Sequence, residues 1–241
     1  MIKALFNGLI DLIYPPHCFT CQNYIPPDST NKELCLECIK KIKFNIPPFC
    51  LKCSRHLEQP VKHPVCQSCR KIKPHFDFAW CACLYSNELK QLIHQFKYSQ
   101  KTQLKHLFIS LMVNFIQTYS LDIQQFDLIM PISLHTTRLR ERGFNQSEIL
   151  ARGIAFQFDL NFCNNNLIRF RHTKPQASLR QKERWTNIQG AFRIKHPGAV
   201  KGKNILIIDD LLTTGSTASE AACILKSAGV ARVGILTLAV A

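Results

Sequence analysis

The chain has 241 residues, of which 46% are hydrophobic and 20% are charged, which is ordinary for a soluble globular protein that buries a core. No apolar run approaches the roughly 20 residues needed to cross a bilayer, so the composition excludes an integral membrane protein built of helices. The formal net charge of +15 favours polyanionic partners such as nucleic acid or phosphate-rich ligands, with a merely basic protein as the alternative.

The first sixteen residues, MIKALFNGLIDLIYPP, predict a short helix that ends at Pro15 and Pro16. Asp11 interrupts its apolar stretch and no small-residue cleavage site follows, so we expect no signal peptide. Its apolar side chains are expected to dock on the rest of the protein, with a membrane-surface role as the alternative. They are Leu5, Leu9, Leu12 and Ile13.

Ten of the twelve cysteines lie before residue 84, and eight of them form four CxxC pairs. Two such pairs supply the four thiolates of a tetrahedral zinc site, and the near-duplicated spacing predicts two sites. The alternatives are a disulfide framework, which the absence of a secretion signal disfavours, and a cross-braced arrangement in which the first pair joins the third. The predicted ligands are Cys18, Cys21, Cys35, Cys38, Cys50, Cys53, Cys66 and Cys69.

The composition changes near residue 75, which predicts a zinc module over residues 1–75 and a second domain over residues 76–241. Beyond the change, hydrophobic periodicity predicts alternating helices and strands, several of the strands uniformly apolar. In chain order these are a helix in YSNELKQLIHQFKY, a helix from about Thr102, the strand FDLIMPI, the helix NQSEILARGIAFQF, a strand over Leu167–Phe170, a strand over Ile205–Ile208, a helix from about Ser216 to Ala228 and the strand VGILTLAV. Such alternation predicts an α/β fold with a parallel sheet covered on both faces.

The stretch ILIIDDLLTTGST joins an apolar strand to two acids and then to a loop of small and hydroxyl residues. A loop of this kind before a helix gathers backbone N–H groups around one point, where the helix N-terminus adds partial positive charge. Two carboxylates would repel a phosphate, but they suit the hydroxyls of a sugar, directly or through Mg²⁺. The pattern therefore predicts a site for a ribose that carries a 5-phosphate, against the alternative of an acidic surface turn.

This thirteen-residue stretch resembles the 5-phosphoribosyl-1-pyrophosphate (PRPP) motif of type I phosphoribosyltransferases. The chain is similar to the ComF family of competence proteins over essentially its whole length. The similarity rests on this stretch, on the cysteine-rich N-terminus and on the segments DLIMPISLHTTRLRERGFNQSEILA and TKPQASLRQKERWTNIQGAF. The resemblance implies a type I phosphoribosyltransferase-like parallel sheet with flanking helices, preceded by a double zinc ribbon.

The resemblance also implies which residues bind PRPP together with Mg²⁺. The segment Pro131–His135 would contact pyrophosphate, and Arg138, Arg140 and Arg142 would clamp anions unless they form only a solvated basic turn. Asn145 and Gln146 would open a helix and fix the loop. The predicted PRPP ligands are Asp209, Asp210, Thr213, Thr214, Gly215, Ser216, Thr217, Ser133, Arg138 and Arg142.

The segment Thr173–Asn187 resembles the flexible catalytic loop of these enzymes, and it lies in a basic region, residues 132–203, with fourteen Lys or Arg against four acids. Three of its cations, Arg180, Lys182 and Arg184, are the predicted contacts to single-stranded DNA. The aromatic residues Phe144, Phe170, Trp185 and Phe192 are either stacking partners of bases or part of the core.

From the family resemblance we expect a cytoplasmic competence protein of natural transformation that binds single-stranded DNA and PRPP, and that meets other DNA-uptake proteins. The alternative is an active phosphoribosyltransferase on an unidentified acceptor. The sequence assigns no catalytic residue.

Overall fold

A computed structural model describes residues 15–26, 28–29, 31–59, 62–99, 101–174 and 180–241. The predicted N-terminal helix, with Leu5, Leu9, Leu12 and Ile13, lies outside the described residues. The strands are β1 (Phe78–Leu84), β2 (Leu128–Pro131), β3 (Leu167–Arg169), β4 (Phe192–Ile194), β5 (Asn204–Leu212) and β6 (Arg232–Val240). The α-helices are α1 (Leu36–Lys40), α2 (Gln67–Ile72), α3 (Asn87–Tyr98), α4 (Lys105–Thr118), α5 (Thr136–Arg142), α6 (Gln146–Phe158), α7 (Gln181–Ile188) and α8 (Ser216–Ser227).

The main sheet has the strand order β1-β6-β5-β2, and its neighbouring strands run parallel. The central strand β5 is buried on both faces, since each residue of Ile205–Ile208 is 0% exposed, which explains its uniformly apolar sequence. Pro131 of β2 pairs with Ile208 of β5, so the segment after β2 begins beside Asp209, at the carboxyl edge of the sheet. The carboxyl edge of a parallel sheet is where such folds bind ligands.

Two hydrophobic cores lie on the two faces of this sheet. On one face α4 packs on α6, and the Ile109 side chain of α4 occupies the space beside Gly153, because a Cβ there would come within 2.1 Å of Ile109 Cδ1. On the other face α8 packs against α7 and β4. The apolar side chains of α3 that the sequence placed on one stripe, Leu89, Leu92, Ile93 and Phe96, are all buried.

The zinc module shares the first of these cores, because Cys18, Leu34 and Cys38 belong to the same buried cluster as Phe96. Gln95 Nε2 of α3 also donates to Phe19 O of the module at 2.9 Å. The change of composition near residue 75 therefore does not coincide with a gap in the core, and the domain limits stay a prediction.

The predicted parallel sheet with flanking helices is confirmed, and so are the helices and strands that carry the acidic motif. One prediction is wrong in its setting. The strand near Leu167 pairs antiparallel with β4 in a separate two-stranded ribbon and does not join the main sheet. Cys81 and Cys83 lie in β1, where burial raises the pKa of both thiols to about 12 and leaves them inert. None of the helices within the described ranges is long and apolar enough to cross a membrane.

Candidate functional site

Two carboxylates at the end of β5 form the centre of the site. Asp210 is 6% exposed, and its Oδ2 forms an ion pair with Nζ of Lys97, the penultimate residue of α3. Asp209 Oδ1 accepts hydrogen bonds from Ser147 Oγ at 2.7 Å and from the backbone N–H of Asp210 at 2.9 Å. The pair therefore has an internal counter-ion on one side and hydroxyl and amide donors on the other.

The ion pair between Lys97 and Asp210 is largely removed from water, with side-chain exposures of 19% and 8%. Burial alone would lower the pKa of the Lys97 ammonium, but attraction to Asp210 and Asp209 outweighs it and the pKa is raised. Lys97 is therefore charged at neutral pH.

Asp209 behaves differently from an exposed carboxyl group. Burial, followed by repulsion from Asp210, raises its pKa from 3.8 to about 7, although the hydrogen bond from Ser147 opposes the shift. At neutral pH Asp209 is thus poised to exchange a proton.

The loop between β5 and α8 has the form of an anion cradle. Gly215 lies directly before the first turn of α8 and has a φ of +77°, a left-handed conformation that favours glycine. It occupies the N-cap position, so the helix has no side-chain cap there. Thr214 Oγ1 donates to Ser216 Oγ at 3.0 Å, which shapes the turn. A small crevice runs along this loop and is lined by Asp209, Thr213, Gly215, Ser216 and Thr217. The first amides of α8 thus face a crevice that adjoins Asp209.

The loop after β2 is fixed by the start of α6, as the sequence predicted. Asn145 caps α6 by accepting from Ser147 N at 3.1 Å, and its Nδ2 donates to Ile132 O at 2.9 Å. Ser133 is half-buried, and its hydroxyl donates to Leu167 O. This network brings Ser147 to Asp209 and holds the predicted pyrophosphate segment beside the acid pair.

The three arginines predicted as anion clamps lie on α5, which the sequence analysis had not identified as a helix. Arg142 is half-buried, and it donates to Gln146 Oε1 at 3.1 Å and to Tyr98 Oη at 3.0 Å. Arg138 is paired with Glu141 at 2.7 Å, and Arg140 is exposed. Arg142 is thus the member of the set that is built into the site.

Arg169 of β3 interacts electrostatically with Asp209, and the sequence analysis missed it. Burial lowers its pKa to about 10, while attraction to Asp209 opposes the shift. Its Nη2 donates to Thr173 Oγ1, and its Nε has no hydrogen-bond partner among the described residues. Lys97, Arg142 and Arg169 therefore surround the acidic pair with positive charge.

The segment expected to be a flexible catalytic loop, Thr173–Asn187, is largely helical where it is described. Residues 175–179 lie outside the described part, and Gln181–Ile188 forms α7, so the expectation of a loop is wrong for that half. Glu183 Oε2 accepts from Arg180 N at 2.8 Å and caps the first turn. The predicted DNA contacts Arg180 and Lys182 are exposed, and Arg184 is half-buried.

Eight cysteines form two zinc-binding sites of four thiolates each. The groups are Cys18, Cys21, Cys35 and Cys38, and Cys50, Cys53, Cys66 and Cys69, and within each group the sulfur atoms lie within 4.8 Å of one another. The pairing is therefore sequential and not cross-braced. A tetrahedral thiolate cage of this size fits Zn²⁺. No histidine joins either group in the described residues.

Lys97 is the second functional residue that the sequence analysis missed, although a signal for it was present. It continues the stripe of Leu89 and Ile93 at four-residue spacing, where an apolar residue would be expected. A lysine at a buried stripe position calls for a buried acidic partner, because an unpaired ammonium is rarely buried.

Two family models match the chain, a double zinc ribbon domain over residues 9–70 and a phosphoribosyl transferase domain over residues 145–240. The chain is 29% identical to competence protein F of Haemophilus influenzae over 86% of this chain and 90% of that protein. It is 28% identical to DNA utilization protein YhgH of Salmonella typhimurium over 94% and 98%. It is also 28% identical to competence protein ComFC of Bacillus subtilis over 92% and 93%. The chain is thus similar, over most of its length, to competence protein F, ComFC and YhgH, and its two parts match a double zinc ribbon model and a phosphoribosyl transferase model.

Proposed function

We propose that this chain is a cytoplasmic protein of natural transformation that binds PRPP and single-stranded DNA. The observation that carries the PRPP half is the meeting of the acidic pair with the Thr213–Thr217 loop at the carboxyl edge of the sheet. The DNA half is supported by relatives named competence and DNA utilization proteins, and by the basic excess between residues 132 and 203.

In this proposal the 5-phosphate lies at the loop before α8, where amides and hydroxyls converge. The ribose hydroxyls face Asp209 and Asp210, and the pyrophosphate lies near the segment after β2 and Arg142. Ser147 orients Asp209, and Lys97 neutralises Asp210, so the pocket holds two acids without a large excess of negative charge.

The carboxylates of Asp209 and Asp210 fit Mg²⁺ by donor type, since this ion prefers carboxylate oxygens and substrate phosphates. The ion would neutralise pyrophosphate charge when bound with the ligand. Lys97 already holds Asp210, so the ammonium and the metal ion compete for that carboxylate.

The PRPP assignment is tested by calorimetry with PRPP and Mg²⁺ on the parent and on the double variant Asp209→Asn, Asp210→Asn. We expect PRPP binding to be lost in the double variant. It should be retained in the control Asp122→Asn, which neutralises an exposed acid distant in sequence from Asp209 and Asp210. Equal affinity of the double variant and the parent would show that the ribose assignment is wrong.

The DNA assignment is tested by fluorescence anisotropy of a labelled oligonucleotide at several salt concentrations. Replacing Arg180, Lys182 and Arg184 with Ala should weaken binding and flatten the salt dependence by about two units, at about 0.7 per phosphate contact. Replacing Lys40, Lys41 and Lys43 with Ala gives the same charge change elsewhere and should leave the slope nearly unaltered. No affinity of the parent at low salt would overturn DNA binding.

The second candidate is an active phosphoribosyltransferase, and the observation that favours it is the poised carboxyl group of Asp209 in an intact acid-and-loop site. Release of pyrophosphate from PRPP in the presence of candidate acceptors tests it. Binding of PRPP without any turnover would leave the site with a ligand-sensing role in DNA uptake.

A further inference from the structure

A second cavity, of about 430 Å³, lies directly behind the phosphate loop. The second zinc ribbon, the segment before β1 and helix α7 form its other walls. Its lining includes the side chains of Arg55, Phe76, Tyr85, Arg184 and Trp185. A cavity of this volume falls within the range of ordinary small-ligand pockets, about 300–1,000 Å³.

The lining of this cavity combines aromatic rings with cations. Three aromatic side chains and two arginines line it, and no aspartate or glutamate side chain does so in the described part of the chain. Arg55 is held in place because its Nη2 donates to Ala241 O at 2.6 Å. Flat rings and guanidinium groups suit a ligand that is both planar and anionic, as a nucleotide is.

The Trp185 side chain, which lines the cavity, carries a donor that is unsatisfied within the described part of the chain. Its indole Nε1–H is a donor without an acceptor among the described residues, whereas a buried indole N–H ordinarily finds one.

The position of the cavity connects it with the rest of the proposed site. Thr213 and Gly215 line both this cavity and the crevice that contains Asp209. On the other side, Arg184 and Trp185 belong to α7, and the exposed cations Arg180 and Lys182 lie at the start of this helix. A charged surface thus leads along α7 to an aromatic pocket, which is the arrangement that binds single strands by phosphate contact and base stacking.

We propose that this cavity receives one base of bound single-stranded DNA, stacked against Trp185, with Arg55 and Arg184 facing the flanking phosphates. The inference rests on the proposed function, because it locates the DNA that the chain is proposed to bind. It also gives the second zinc ribbon a direct part in binding, since Cys53 and Cys69 line the same cavity.

The chain contains two tryptophans, which permits a direct test. Trp80 packs against Phe78 and Phe126 at ring distances of 5.0 and 5.9 Å, so Trp80→Phe removes the core signal and leaves Trp185 as the only reporter. Titration of this variant with a short oligothymidylate should quench Trp185 emission with the same midpoint as an anisotropy titration. In the matched variant Trp185→Phe, emission from Trp80 should stay constant.

Affinity gives the second readout. Trp185→Ala should weaken oligothymidylate binding about tenfold, because stacking of one base is worth about 1–3 kcal/mol, while the slope against salt should not change. Trp185→Phe keeps an aromatic face and should retain most of the affinity, which separates lost stacking from lost folding. An abasic oligonucleotide of the same length should bind without quenching.

Three results would overturn the inference. The first is tight oligonucleotide binding with constant Trp185 emission, and the second is full affinity in Trp185→Ala. The third is equal quenching by thymidine 5′-monophosphate and by the oligonucleotide at the same concentration, which would assign the cavity to a free nucleotide. Absence of oligonucleotide binding to the parent would instead refute the proposed DNA function itself.

Discussion

The buried ion pair between Lys97 and Asp210 leads to a sharp prediction about stability. Lys97→Met keeps the length of the side chain and removes its charge, so the Asp210 carboxylate, 6% exposed, is left beside Asp209 without its ion-pair partner. Removing one partner of a buried pair costs about 3–5 kcal/mol. The Lys97 side chain is still 19% exposed to solvent. We therefore expect the free energy of unfolding at pH 7.5 to fall by about 3 kcal/mol, the lower end of this range.

The assay is equilibrium unfolding in urea, monitored by circular dichroism, with Lys90→Met as the control because Lys90 is exposed on the same helix. The loss should shrink when Asp210→Asn is added, since the double variant buries no unpaired charge. A loss below about 1 kcal/mol in Lys97→Met, or no rescue by Asp210→Asn, would show that the ammonium is not the counter-ion of this carboxylate.

Two further predictions concern metal content and pH. Purified protein should contain two zinc ions per chain by elemental analysis, and Cys35→Ser should remove one of them; protein that folds fully with no zinc would contradict the four-thiolate assignment. The pKa of Asp209 is raised from 3.8 to about 7 on folding, so the native state binds more protons than the unfolded state between these values. The free energy of unfolding should therefore fall as pH rises through this window, and Asp209→Asn should remove that part of the fall; an unchanged pH profile in the variant would refute the shift.

The sequence was most informative where one segment contains the whole pattern. The apolar run at Ile205–Ile208, the two acids and the small-residue loop specify a buried strand, its end and the next helix within thirteen residues. The CxxC pairs are likewise local, because each knuckle is closed by two cysteines three residues apart. These parts of the fold and the site were predictable for that reason.

The parts that the sequence did not reveal depend on contacts over long separations. Lys97 meets Asp210 across more than one hundred residues, and Arg169 reaches the field of Asp209 from a strand that the periodicity placed in the wrong sheet. Helix α5 was missed because its arginines mask any apolar stripe, and it has no buried residue. Charge complementarity inside a pocket leaves no periodic signal, so such residues are found only from their unusual position on an otherwise apolar face.

The two zinc ribbons are predicted to act on different parts of the site. The first ribbon touches α3 through Gln95 and Phe19, and α3 carries Lys97 to Asp210. The second ribbon instead forms a wall of the aromatic cavity through Cys53 and Cys69. Destabilising the first ribbon should therefore disturb the ion pair between Lys97 and Asp210. Destabilising the second ribbon should instead disturb the cavity lined by Trp185.

This division is tested with Cys35→Ser and Cys66→Ser, each of which removes one thiolate from one site. Cys35→Ser should weaken PRPP binding in calorimetry more than it weakens the quenching of Trp185 by oligothymidylate in the Trp80→Phe background. Cys66→Ser should have the opposite order of effects. Because Cys18 and Cys38 belong to the core that contains Phe96, some general destabilisation is expected from the first variant, so both measurements are made well below its unfolding temperature. Equal losses of both signals in both variants would show that the ribbons act only as a common scaffold.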